Sequence, residues 1–167
     1  MKKLRLIFFE LCVSPHKMPF INELSRMPIV DSVVVVAPCI DINERTAMGW
    51  SSSSFMKDTD VRFIIAPSDD EVMTLMSSAD NDTYCSFCGI NAFEIIAKWF
   101  KLSLNVNVHR VVITEPPRLN KFPLWMHAMR FALKDWKYVK YIDKIYVMGQ
   151  DFVPYYKFWS SRWQVVP

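Results

Sequence analysis

Residues 31–37, Asp31-Ser32-Val33-Val34-Val35-Val36-Ala37, carry four consecutive valines and end at Pro38. A strand with one wet face alternates apolar and polar residues. An unbroken β-branched run instead predicts a strand covered on both faces, as in a parallel sheet. Working outward, further apolar runs fall at residues 4–13, 61–66, 83–88, 108–114, 143–148 and 163–166. Helical patterns lie between most of them. Ser14-Pro15-His16 breaks the first run, and Pro19 suits the first turn of a helix with Phe20, Ile21, Leu24 and Met27 on its apolar face. Ser68 and Glu71 form a capping box ahead of Val72, Leu75, Met76 and Ala79. Residues 90–103 place Phe93, Ile96, Trp99 and Phe100 inward, and Glu94 and Lys98 stand as an i,i+4 ion pair on the polar stripe. Residues 123–140 predict a helix with Phe122, Trp125, Met129, Ala132, Trp136 and Val139 toward the core, and 151–159 a shorter one. Residues 38–60, with Ser51 to Ser54, read as a long polar excursion.

Strand-then-helix order implies right-handed βαβ units. The expected fold is α/β: one Rossmann-like three-layer α/β/α sandwich over residues 1–167, with a mainly parallel sheet of six to seven strands. Hydrophobic residues at 51% and charged residues at 22% fit a globular chain and exclude disorder. A net charge of +3 gives no reason to expect nucleic acid. No apolar run has the length of a membrane span. Lys2, Lys3 and Arg5 ahead of Leu6-Ile7-Phe8-Phe9 imitate a secretion signal, but Glu10 interrupts the run and no small-residue cleavage site follows. A buried first strand and a cytoplasmic location are expected. Cys12, Cys39, Cys85 and Cys88 are then free thiols.

In parallel sheets ligands sit at the carboxyl ends of the strands, near the point where strand order reverses. Three segments map there: Ser14-Pro15-His16-Lys17, Cys88-Gly89-Ile90-Asn91 and Glu115-Pro116-Pro117-Arg118. The chain has only three glycines, Gly49, Gly89 and Gly149, far apart. A dinucleotide fingerprint or a P-loop needs several close together, so neither is present and no cofactor is expected. Cys85-Ser86-Phe87-Cys88 is a CxxC without a second ligand pair, so no metal site is expected, and strand alternation sends the two thiols to opposite faces. His16, just past the first strand, could serve as a base or bind a hydroxyl, or it could be a plain loop histidine. Glu115 stands where two prolines restrict its loop; it is either a candidate base or a surface partner of Arg118. Arg130, Lys134 and Lys137 form a basic stripe flanked by Phe131 and Tyr138, suited to an anionic membrane surface or to plain solvent.

Several stretches together resemble the N-terminal, acceptor-side half of a GT-B glycosyltransferase, close to family 4. They are the opening strand with Ser14-Pro15-His16 and the helix from Pro19 to Leu24, VVITEPPR at 111–118, and IDKIYVMG at 142–149 followed by Tyr155-Tyr156. The resemblance implies a transferase moving a sugar from a nucleotide donor to a glycan or lipid-linked acceptor in cell-surface polysaccharide synthesis, peripheral to the inner face of the membrane. It implies catalytic roles for Glu115 and His16 and acceptor contacts at Pro15, Gly89, Asn91 and Arg118. Ser-Pro-His replaces the family's glycine-rich turn, and the nucleotide-sugar half has no counterpart before Pro167. A lone acceptor-side domain without transferase activity of its own is therefore expected. The competing expectation is a stand-alone flavodoxin-like binding or interaction module.

Overall fold

The computed structural model describes residues 3–47, 49, 51–90, 92–114, 123, 125–126, 129, 133, 136–147, 153–159 and 164–166. Its strands are β1 (Leu4–Phe9), β2 (Val30–Ala37), β3 (Arg62–Ile65), β4 (Thr83–Cys88), β5 (His109–Thr114), β6 (Lys144–Val147) and β7 (Gln164–Val166). They form one sheet in the order β3-β2-β1-β4-β5-β6-β7, and every pairing is parallel. The described helices are α1 (Met18–Ser25), α2 (Asn43–Ala47), α3 (Asp69–Ser77), α4 (Glu94–Ser103), α5 (Trp136–Val139) and α6 (Val153–Trp159). The fold is α/β and Rossmann-like, as the sequence implies.

The sheet separates two apolar cores. On one side Ile7, Phe9, Val34, Val36, Cys85 and Phe87 meet α3 and α4. Phe9 stacks on Phe87 at 4.8 Å between ring centroids, and Phe100 meets Phe87 edge-on at 5.0 Å. Aromatic pairs of this kind add about 0.5–1.5 kcal/mol beyond the area they bury. On the other side Phe8, Val33 and Val35 pack with Met18 and Ile21 of α1. β1 and β2 are thus buried on both faces, which is why their residues run apolar without alternation.

Several local expectations are corrected. β1 stops at Phe9 rather than Val13: Glu10 N–H still reaches the Val36 carbonyl of β2, but beyond it the chain bends and Val13 N–H bonds to the Ile40 carbonyl in the following loop, both at 3.0 Å. The excursion after β2 holds α2 and a single 3₁₀ turn, Ser53–Met56. α4 begins at Glu94, not at Ile90, since Phe93 is still extended. Lys98 reaches across to Asp69 of α3 instead of back to Glu94. Phe20 and Met27 are 56% and 45% exposed, and Trp125 and Met129 are 61% and 55% exposed, so none of the four fills the core. Met18 takes the buried place on α1. The Ser68–Glu71 capping box forms in both directions.

Gly89 follows β4 at φ +68, a conformation L side chains rarely adopt, and a Cβ there would stand 3.0 Å from the Phe93 ring. Gly49, at φ +79, has open space around it. Gly89→Ala should therefore cost about 2–3 kcal/mol, the left-handed backbone plus ring displacement, and Gly49→Ala only the backbone part of about 1–2 kcal/mol. Thermal melts read this directly at about 2–4 °C per kcal/mol. Equal shifts for the two variants would refute the ring contact as a constraint.

Candidate functional site

The strand order reverses between β1 and β4, so the loops leaving these neighbours part toward opposite faces of the sheet. Glu10 is the first residue past β1 and is 3% exposed. Ser14-Pro15-His16-Lys17 then makes a tight turn, closed by the Lys17 N–H on the Ser14 carbonyl at 3.0 Å. The turn carries Lys17 back over the end of β1. Its ammonium donates to both carboxylate oxygens of Glu10, at 3.0 and 2.8 Å. The Cys88 thiol, at the end of β4, lies within electrostatic reach of both groups. A carboxylate, an ammonium and a thiol thus meet at the switch point.

The electrostatics fix their states. Burial pulls the Lys17 ammonium down, but the charge of Glu10, joined by Cys88, outweighs it and leaves Lys17 above its ordinary value of 10.5. Burial and then Glu10 push the Cys88 thiol up, against the pull of Lys17. Cys88 is a neutral thiol, a hydrogen-bonding group rather than a nucleophile. Cys85, on the opposite face, is pushed by burial to about 12. The CxxC is thus two protonated thiols on two faces, as alternation requires. Among the described residues no group of three or more His, Cys, Asp or Glu side chains could hold a metal ion.

The ion pair decides what this edge can bind. An ammonium already neutralised by a carboxylate is a poor anchor for a diphosphate. The pair offers donors and acceptors together, which suits hydroxyl groups. At the same edge Ala66 leaves β3 at φ 51, and its N–H donates to the Ala37 carbonyl at 2.8 Å.

Of the residues singled out from sequence, Pro15 and His16 sit in the turn that positions Lys17, with His16 exposed. Gly89 shapes the bend after β4. Asn91, Glu115, Arg118, Arg130 and Lys134 lie outside the described residues. Lys137 is exposed, with its ammonium 5.0 Å from the centre of the Tyr138 ring. Among the described residues no helix is long and apolar enough to cross a membrane. Sequence reasoning missed Glu10 and Cys88 as site residues and passed over Lys17. The available signal was a carboxylate directly after a buried strand, with a lysine one tight turn later. No family model, curated protein or solved structure matches the chain.

Removing one member of a buried pair strands the other. Lys17→Met should cost about 3–5 kcal/mol at about pH 8, because Glu10 remains buried without its counter-charge. A group whose folded pKa is raised contributes stability that is complete below its unfolded value and lost as pH rises through the folded one. Wild-type unfolding free energy should therefore fall as pH climbs past 10.5, and the Lys17→Met profile should stay flatter there. Denaturant titrations across that range measure both. Parallel profiles would remove the pair from the stability of this edge.

Proposed function

We propose that this chain is the acceptor-binding domain of a sugar-transferring enzyme of GT-B build. The observation that carries the reading is the buried Glu10–Lys17 pair at the switch point of a doubly wound parallel sheet. It supplies paired polar groups to a hydroxyl-bearing ligand where such sheets bind ligands, and the sequence has no glycine-rich phosphate cradle beside it. In this reading a second domain holds the nucleotide sugar. The acceptor hydroxyl attacks the anomeric carbon, its proton passes to Glu115 or His16, and the nucleoside diphosphate leaves with the bonding electrons. This domain contributes the acceptor's position, which lowers the barrier by holding the reacting oxygen in line.

The alternative of a binding module without catalysis rests on the same site and differs only in lacking a donor partner. Calorimetry of the chain with uridine, guanosine and adenosine diphosphate sugars should show no binding in the micromolar range. Saturation-transfer NMR with a panel of neutral oligosaccharides should show contact, weakened in Lys17→Arg, which keeps the charge but changes the geometry. Micromolar binding of a nucleotide sugar would overturn the acceptor-side assignment.

The same reading places the domain at an anionic membrane surface. Trp125, Met129 and Leu133, spaced four apart, are 61%, 55% and 79% exposed, and exposed Lys137 continues the spacing. Apolar side chains in register with cations suit an interfacial position, where each basic residue is worth about 1 kcal/mol against anionic lipid. Flotation should recover the chain with phosphatidylserine vesicles at low salt and not with phosphatidylcholine alone. Trp125→Ala together with Lys137→Glu should lose most of that binding. Equal recovery with both lipids would eliminate the membrane contact.

A further inference from the structure

The α1 side of the sheet is not uniform. Over β1 to β3 it carries α1 and the Ser53–Met56 turn, with Phe55 and Met56 packed on the core. Over β4 to β6 it lines a groove of about 660 Å³ that runs beside α1. This is the size of a small-molecule site, and its lining is mostly apolar with a few polar groups, as such sites are. Ile21 and Leu24 of α1 form its wall, and Phe8, Val111 and Ile113 lie on its floor.

Ser86 and Lys144 interrupt that floor. Phe8, Ser86, Val111 and Lys144 stand in one row across β1, β4, β5 and β6 by strand register. Ser86 is 7% exposed, and its hydroxyl has no hydrogen-bond partner. Buried polar atoms are nearly always satisfied, so an orphaned hydroxyl lining a cavity points to a missing ligand atom. Lys144, two strands away, also lines the groove and makes no ion pair with any described residue. The two backbones are roughly 10 Å apart, twice the strand spacing, and a lysine stem spans most of that distance.

We propose that this groove binds an aliphatic carboxylate, with its head between Ser86 and Lys144 and its chain lying over Phe8 against α1. The charge count selects the ligand class. Lys17 also lines the groove but is already neutralised by Glu10, so one ammonium and one hydroxyl are left for the two oxygens of a monoanion, whereas a phosphate dianion would keep unpaired charge over an apolar floor. The apolar wall selects a chain over a sugar. Lys17, held by Glu10, lines the same groove at the strand ends, but the head position between Ser86 and Lys144 does not rest on the sugar-transfer reading.

Calorimetry of the full chain with dodecanoate, dodecanol and dodecyltrimethylammonium below their micelle concentrations tests this. Dodecanoate should bind in the micromolar range, and dodecanol about tenfold or more weaker, since a charge-assisted hydrogen bond supplies the difference. Lys144→Gln should bring dodecanoate down to the level of dodecanol and leave dodecanol unchanged. Ser86→Ala should weaken dodecanoate by about three- to tenfold. Ile113→Trp, filling the floor, should block both ligands. Lys144 lies at the start of β6 and is not in the apolar core, so Lys144→Gln keeps the test decisive if Ile113→Trp does not fold. No binding of dodecanoate, equal binding of dodecanol, or an unchanged affinity in Lys144→Gln would each overturn the proposal.

Discussion

Parallel strands joined by right-handed crossovers leave the chain no choice about which face a connecting segment covers. Moving outward from β1 through β2 to β3 puts α1 on one face. Returning past β1 to β4 and continuing the other way puts α3 and α4 on the opposite face. Both candidate sites follow from that reversal. The loops after β1 and β4 part at the switch point, which leaves the edge where Glu10, Lys17 and Cys88 meet. The described helices that follow β4 pack on the far face, where Tyr138 meets Phe100 edge-on and Tyr156 joins the core. The α1 face of β4 to β6 is left as the floor of a groove.

The two sites divide the polar chemistry between them. At the switch point charge is already balanced within the protein, and Lys17 and Glu10 hold each other in fixed protonation states. A balanced pair of this kind suits a neutral partner better than an anion. In the groove the Ser86 hydroxyl has no partner and Lys144 has no counter-ion among the described residues. On the proposed readings, hydroxyl-bearing ligands belong to one site and a single negative charge to the other.

Most of the sheet was legible in the sequence, because parallel strands buried on both faces leave unmistakable runs such as Val33 to Val36. β4 was placed to the residue, since Gly89 marks its end. The Ser68–Glu71 cap was equally plain, being local by nature. What failed was direction. Phe20, Met27, Trp125 and Met129 carry apolar side chains at helical spacing, and spacing alone does not say whether another layer lies above them. Lys98 had a partner four residues away and took a more distant one, because α3 packs beside α4. The candidate site was half legible: the strand-end edge could be named, and Lys17 and Cys88 lay in two of its segments. Glu10 was read only as an interruption of an apolar run, because its partner is met through a turn rather than at a periodic spacing. Cys88 passed as a buried thiol because its surroundings are made by β1 and α1, not by its own strand.

The position of β1 also sets an order in time. It is synthesised before the other described strands, yet it belongs between β2 and β4, and Thr83 of β4 lies more than seventy residues beyond Phe9. Each strand pairing requires the closure of a long segment, since no two neighbouring strands are joined by a hairpin. Contacts of such high sequence separation make folding slow. Until β4 arrives, one edge of β1 presents unpaired amides and carbonyls beside Ile7 and Phe9, an apolar template open to other chains. Among the strands that gain two neighbours, the one that organises the finished sheet waits longest for its second.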